Sequence, residues 1–378
     1  MEAEQVLKKL IGINSVFNNE KEIGIYLESC LKRLGLKTNR QYIAKDRFNI
    51  LAERPGSGSA ILFYAHMDTV TPHGKWKGDP FRALQEGDKI YGLGACDMKG
   101  GISAILSSLS KNRDRKVKLL FCSDEENISK GAWDAVKRAS WFSDVKFMVS
   151  CEPGDSRRHT GGANVVTVGR RGRVVIDVDV YGLSSHGANP QRGINAIDEA
   201  AKIVSATNTF KLRHHHDLGR ETIFVRRIEG RSDSALDLPD KVHLELDIQL
   251  VPPSTTKDVL SRIEDTIEML RSKGRLNALT KVVVNVRKRE TPYIEPYVGD
   301  LKDQKISKVL RLIRENIREP FVNYGSSVAD DNILSNVIRK PIVTIGPTGG
   351  NEHAQNEWVS RKSLKELVKV YGLILENV

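Results

Sequence analysis

The chain has 378 residues, 39% hydrophobic and 28% charged, with 59 Lys and Arg against 48 Asp and Glu, a formal net charge of +11. That length exceeds one small core and leads to an expectation of two domains, while no apolar run reaches the roughly 20 residues of a membrane-spanning helix. The basic residues are scattered, with short clusters at GRRGR (169–173) and VRKRE (286–290), and no nucleic-acid module accompanies them; a solvated basic surface or attraction for anionic substrates is expected, with neither nucleic acid nor membrane as a partner.

The first segment, MEAEQVLKKLIGINSVF, reads as an amphipathic helix without the basic start and apolar centre of a signal peptide, so a cytoplasmic location is expected. Residues 20–35 are helical. AILFYAH (60–66) reads as a buried strand, 99–112 as a helix, and KVKLLFCSDEE (116–126) as a strand ending in acids. A helix over DAVKRASWF and a strand at KFMVSCEP (146–153) follow. Alternation of this kind predicts an α/β sheet. From about 171 the pattern changes. Strands at 173–182, 221–230, 241–253 and 280–290, with helices at 195–210 and 255–274, make a β-α-β-β-α-β unit inserted in the first domain. Helices at 303–317 and 363–378 and a strand at 340–347 resume the α/β pattern. The expected domains are 1–171 with 291–378, and 172–290. Cys30, Cys96, Cys122 and Cys151 form no C-x-x-C pair and are expected to be free, buried thiols.

Three strands of the first domain end in side chains able to bind metal: His66 with Asp68, Glu125 with Glu126, and Glu152. Asp97 stands immediately before a helix. Each has an ordinary structural reading, as a helix cap, a solvated strand end or a turn before Pro153. In an open α/β sheet, however, ligands bind at the carboxyl ends of the strands. These groups therefore converge, and crowded acids repel unless cations sit among them. So many acids with a histidine suit two ions, and the mixed donor set suits zinc or a similar divalent metal.

The ordered set HMD, GACDMKGG, DEE, CEPG, SHGANPQRGINA and GNEH resembles the dinuclear zinc M20 amidohydrolases and metallopeptidases, over essentially the whole chain. The resemblance implies a zinc-exopeptidase-like α/β catalytic domain carrying an inserted α+β, ferredoxin-like lid or dimerisation domain. It implies two Zn2+ per chain, with Co2+ or Mn2+ as possible substitutes. His66 and Glu152 would bind one ion, Glu126 and His353 the other, and Asp97 would bridge them. Glu125 would be the general base, taking a proton from the attacking water and passing it to the departing amine. Asp68 would accept a hydrogen bond from the His66 imidazole and hold its orientation. His186 of the inserted domain would stabilise the tetrahedral oxyanion and reach the partner's active site in a homodimer.

The implied reaction is metal-dependent hydrolysis of an amide bond in an N-acyl amino acid or small peptide, as in acetylornithine deacetylases and succinyl-diaminopimelate desuccinylases. Alternatives are release of lysine or ornithine from an acidic amino-group carrier protein, a carboxypeptidase or dipeptidase activity, and a non-catalytic binding protein that kept the fold. Asn195, Arg192, Gln249 and Gly350 are the expected substrate contacts. Gln249, in DIQLVPP, stands where relatives often carry a carboxylate-binding arginine; Arg192, Arg226, Arg227 or Arg231 would have to replace it. LDLPD (236–240) departs from an Asn-x-x-Pro stretch of the family. In YGSSVADDN (324–332) the sequence does not choose between Asp330 and Asp331. HHH (214–216) has no clustered acids and reads as a polar loop.

Overall fold

The structure is a computed structural model describing residues 1–112, 115–154 and 161–378. Its contacts divide into two units, Met1–Arg170 with Val298–Val378, and Arg171–Tyr297.

The first unit begins with α1 (Ala3–Ile11) and α2 (Lys21–Arg33). Val6, Leu7, Leu10 and Ile11 recur at helical spacing and bury one face of α1. An antiparallel pair, β1 (Lys37–Ala44) and β2 (Arg47–Arg54), follows. β3 (Ala60–His66) is buried along its whole length, as a strand covered on both faces must be. Two short strands, β4 (Leu84–Glu86) and β5 (Lys89–Tyr91), precede α3 (Lys99–Lys111). Then come β6 (Val117–Cys122), α4 (Lys130–Val136), β7 (Val145–Ser150) and β8 (Val165–Arg170). The helix expected over DAVKRASWF begins and ends earlier. The Asp124 carboxylate accepts the Lys130 N–H and fixes the start of α4, while Arg138 leaves helical geometry and Ala139–Phe142 forms a 3-10 turn.

The second unit contains β9 (Gly172–Tyr181), α5 (Ala196–Ala206), the small hairpin β10 (His214–His215) and β11 (Gly219–Arg220), β12 (Thr222–Gly230), β13 (Lys241–Leu250), α6 (Thr256–Ser272) and β14 (Lys281–Val286). Its antiparallel sheet runs β12-β13-β9-β14, the order of a split β-α-β repeat. Val174, Ile176, Val178 and Val180 share a core with Leu244, Leu246 and Ile248 of β13 and with apolar residues of α5 and α6. At alternate positions Asp177, Glu245 and Asp247 meet arginines in ion pairs, and Asp179 meets His243. Residues past β14 stay with this unit: Arg173 N–H donates to the Ile294 carbonyl.

The chain returns through β15 (Tyr297–Val298), α7 (Gln304–Asn316), β16 (Phe321–Gly325), α8 (Asp330–Ile338), β17 (Ile342–Thr344), β18 (Gly349–Gly350), β19 (Trp358–Ser360) and α9 (Arg361–Asn377). The main sheet runs β1-β2-β6-β3-β7-β17-β8-β15, with β16 beside β8. β3, β6, β7 and β17 are mutually parallel. A second sheet, β18-β19-β5-β4, lies apart from it. Leu364, Leu367, Val370, Ile374 and Leu375 of α9 join α1 and α3 in the main core, each such side chain contributing about 1.5–3 kcal/mol on burial. Among the described residues no helix is long and apolar enough to cross a membrane. The four cysteines are free and buried.

Candidate active site

Three neighbouring parallel strands, β6, β3 and β7, end on the same side of the sheet, and their continuations carry the site. β3 stops at His66, which is 1% exposed. Past β6, Asp124 adopts φ +77°, and this left-handed turn reverses the chain so that adjacent Glu125 and Glu126 both face the site. Past β7 comes Glu152. Gly101 of α3 is required next to it: a Cβ there would overlap the carbonyl of Cys151. The close approach of α3 to the end of β7 brings Asp97, just before the helix, beside Glu152.

Asp68 lies beyond the strand, and its carboxylate does not take the bond expected from the imidazole. His66 Nδ1 is 3.6 Å from Asp68 Oδ1 but 3.0 Å from the Asp68 main-chain oxygen. The carboxylate instead accepts the N–H of Glu125 at 3.2 Å and of Glu126 at 3.0 Å. The peptide carbonyl thus makes the shorter contact with the ring, and the carboxylate caps the turn that carries the two glutamates. Arg47 supports that turn from below, bonding both Glu20 and Asp124.

Asp97 and His353 come from loops of the small sheet. β19 pairs with β5 and β18, which sets the 92–97 loop beside the 351–357 loop. Asp97 Oδ1 is 3.0 Å from His66 Nε2, and its Oδ2 is 3.4 Å from His353 Nε2. Glu152 Oε1 stands 3.4 Å from His66 Nε2, and Glu126 Oε2 stands 3.0 Å from His353 Nε2. Each oxygen of Asp97 thus faces a different histidine, and each histidine has its own glutamate. Two triads, His66–Glu125–Glu152 and His66–Asp97–Glu126, place their ligand atoms within 4.8 Å of one another.

The charges are out of balance. Burial pushes the Glu125 and Glu152 carboxyls well above the usual range; for Glu152 the neighbouring Asp97 adds to it. Burial would lower the His66 imidazole, but Glu152, Asp68 and Asp97 outweigh it and hold the ring well above its ordinary value. Bonds to Asp97 and Glu126 lift His353 to about 11. Burial opposes ionisation of Asp97, yet bonds from the two histidines depress its carboxyl strongly. The cluster thus holds extra protons in the places a cation would fill. Glu152 Oε1, buried and without a hydrogen-bond partner among the described residues, is a ready donor atom. The mixed imidazole and carboxylate set fits divalent metal, zinc included.

The other expected residues stand differently. His186 is exposed, and its Nδ1 accepts the Ala188 N–H. Arg192 is exposed in a 3-10 turn. Asn195 caps α5 by accepting the Ile197 N–H. Gln249 is half-buried with its Oε1 unpartnered among the described residues. Gly350 packs under Trp358, whose indole would lie 3.0 Å from a Cβ there. Arg226 and Arg227 are engaged with Glu245, whereas Arg192 and Arg231 form no ion pair among the described residues. Asp330 and Asp331 open α8, both fully buried: Tyr64 Oη donates to Asp330 at 2.7 Å, and Arg170 Nε and Thr344 Oγ1 donate to Asp331 at 2.8 and 2.6 Å. In the 214–216 stretch, His215 Nδ1 accepts the N–H groups of Asp217 and Leu218, a turn. Sequence reasoning missed Arg47, Glu20, Tyr64 and Glu357; Glu357 alone carried a signal, an acid four residues past His353.

The sequence matches the description "Peptidase family M20/M25/M40" over residues 62–377. The succinyl-diaminopimelate desuccinylase of Orientia tsutsugamushi (strain Boryong) is 25% identical over 392 residues, covering 97% of this chain and 94% of that protein. A tripeptidase from Staphylococcus aureus subsp. aureus Mu50 shares the fold with a TM-score of 0.80 at 20% identity, covering 100% of this chain and 98% of that one. A dinuclear metal-binding M20 peptidase from Bacillus subtilis does so with a TM-score of 0.75 at 13% identity, covering 100% and 98%. With the match spanning most of its length and six motifs in order, the chain belongs to peptidase family M20/M25/M40 and is a metal-dependent hydrolase of amide C–N bonds.

Proposed function

We propose that the chain cleaves the amide bond next to a free carboxylate in an N-acyl amino acid or small peptide, using two divalent ions, zinc in the first instance. One observation carries the reading: the two oxygens of Asp97 face His66 and His353 separately. In this reading His66 and Glu152 hold one ion, Glu126 and His353 the other, and Asp97 bridges them. Bound there, the ions would polarise the scissile carbonyl and ease deprotonation of water. Glu125 takes that proton and returns it to the leaving nitrogen. Its burial suits the task, because a carboxyl pushed upward accepts protons readily. Asp68 keeps Glu125 and Glu126 in place through their main-chain N–H groups. His186, by family resemblance, steadies the oxyanion, with Arg192, Asn195, Gln249 and Gly350 as proposed substrate contacts.

Homodimerisation through the inserted unit and a cytoplasmic location belong to the same proposal. β12 is an edge strand with Phe224 and Ile228 each 53% exposed, a surface open to strand pairing. The desuccinylase and tripeptidase names of the relatives bracket the substrate class without choosing within it. The test is turnover of a panel of N-succinyl and N-acetyl amino acids, dipeptides and tripeptides, each with Zn2+, Co2+ or Mn2+, beside metal analysis of the reconstituted protein. Saturation at one ion per chain would overturn the two-metal reading. Equal turnover of substrates with the carboxylate amidated would overturn the substrate reading.

A further inference from the structure

Glu357 lies at the end of the β18–β19 connection that carries His353, and it is 2% exposed. Its Oε2 accepts the Gly94 N–H at 2.6 Å. Its Oε1 accepts the N–H of Cys96 at 2.8 Å and of Asp97 at 2.9 Å. Its own carbonyl accepts the Gly92 N–H at 3.0 Å. One residue of the His353 loop thus holds four amides of the segment that delivers Asp97.

The β-ladder cannot do this. Pairing between β5 and β19 ends at Tyr91 with Trp358, six positions short of Asp97. Gly94, at φ +75°, takes the chain away from strand geometry. The amides of residues 94, 96 and 97 then point at one spot, and the Glu357 carboxylate fills it. Three converging N–H groups need an acceptor, and a buried amide left without one is costly.

We propose that Glu357 is a positioning residue of the metal centre. Its carboxylate locks the Asp97 main chain to the loop bearing His353, so that the Asp97 carboxylate presents one oxygen to each half of the site. The proposal rests on the reading of Asp97 and His353 as metal ligands. Its weight falls on the half formed by Glu126 and His353, because His66 and Glu152 are fixed independently by the main sheet.

The experiment is titration of metal-free protein with Co2+, followed by visible absorption and calorimetry, in wild type, Glu357→Gln and Glu357→Asp. The glutamine keeps the size but turns an N–H donor toward amides that are donors. The aspartate keeps the carboxyl group but falls short by one methylene. The metal-free melting temperature of each variant is recorded beside it. The expected result is a first equivalent bound as in wild type and a second weakened at least tenfold, with its absorption band altered. Wild-type affinity and spectrum for both equivalents overturns the proposal. So does preferential loss of the first equivalent, or equal loss of both in step with a lowered metal-free melting temperature, and so does failure of both variants to fold, which would make Glu357 a scaffold residue only. Wild type that takes up fewer than two equivalents would instead refute the ligand reading, and this proposal would fall with it.

Discussion

Replacing Asp68 with asparagine separates two ways in which that residue can serve the site. The carboxylate accepts the Glu125 and Glu126 N–H groups at 3.2 and 3.0 Å, whereas its nearer oxygen is 3.6 Å from His66 Nδ1, beyond a direct bond. Asparagine retains one acceptor and turns an NH2 toward the other amide. One bond to a charged group, worth about 1.5–3 kcal/mol, is lost. Spent entirely on displacing Glu125, that loss lowers kcat by about 10- to 150-fold, at about 1.4 kcal/mol per tenfold. The His66 ring keeps its bond to the Asp68 main-chain oxygen, so the ion proposed for His66 and Glu152 should be unaffected. The assay is kcat and KM for Asp68→Asn on the best substrate, with metal content measured on the same preparations. Weakening of the His66-side ion with wild-type kcat at saturating metal would refute the reasoning and return Asp68 to the imidazole.

Glu125→Gln is expected to retain both ions and lose about 10²–10⁴ in kcat, the usual worth of a general base, while its neighbour's variant Glu126→Gln is expected to lose one ion; equal metal loss in both would contradict the division of labour. Asp330, lifted by burial to about 7 from 3.8 despite its bond from Tyr64, holds its proton more tightly folded than unfolded, so its contribution to stability is present below about pH 4 and is lost as pH rises toward 7. Asp330→Asn should therefore stabilise metal-free protein above pH 7 by up to about 4 kcal/mol and little at pH 4, as read by denaturant melts at both values; no difference in the gap between them would refute it. In the proposed homodimer, a hybrid of His186→Ala and Glu125→Gln chains should recover part of the activity that each variant alone lacks, and no recovery in hybrids shown to form would refute the exchange of His186 between subunits.

The strand ends were legible because their cause is local. An apolar run of buried-strand length that stops at His66, or two residues before Glu152, shows both the strand and what its end presents. Order along the chain then linked those ends with Asp97 and His353. Two adjacent acids that both face one site call for a tight turn after β6, but nothing in SDEE says that the Asp68 carboxylate would cap it. Arg47 meets Asp124 because β2 lies beside β6 in the sheet, a pairing that the weakly alternating KTNRQYIA of β1 gave no reason to expect. The sequence did not choose between the two acids of YGSSVADDN. Both begin a helix, and their partners Tyr64, Arg170 and Thr344 come from three separate strands.

The position of β17 has a consequence for synthesis. It lies between β7 and β8 in the finished sheet, yet it is made long after both: β8 ends at Arg170 and β17 begins at Ile342. At roughly 5–20 residues per second, the ribosome leaves β7 and β8 without their shared neighbour for about 10–35 s. One edge of β7 stays exposed for that time, and β8 has no partner at all until β15 and β16 are made. The second unit, complete by Tyr297, is made within this interval and has its own core, so it can fold before the first unit closes. Ribosome stalling or truncation between 298 and 341 would release a chain with one finished unit and one open sheet, the form of this protein most exposed to aggregation and to proteolysis.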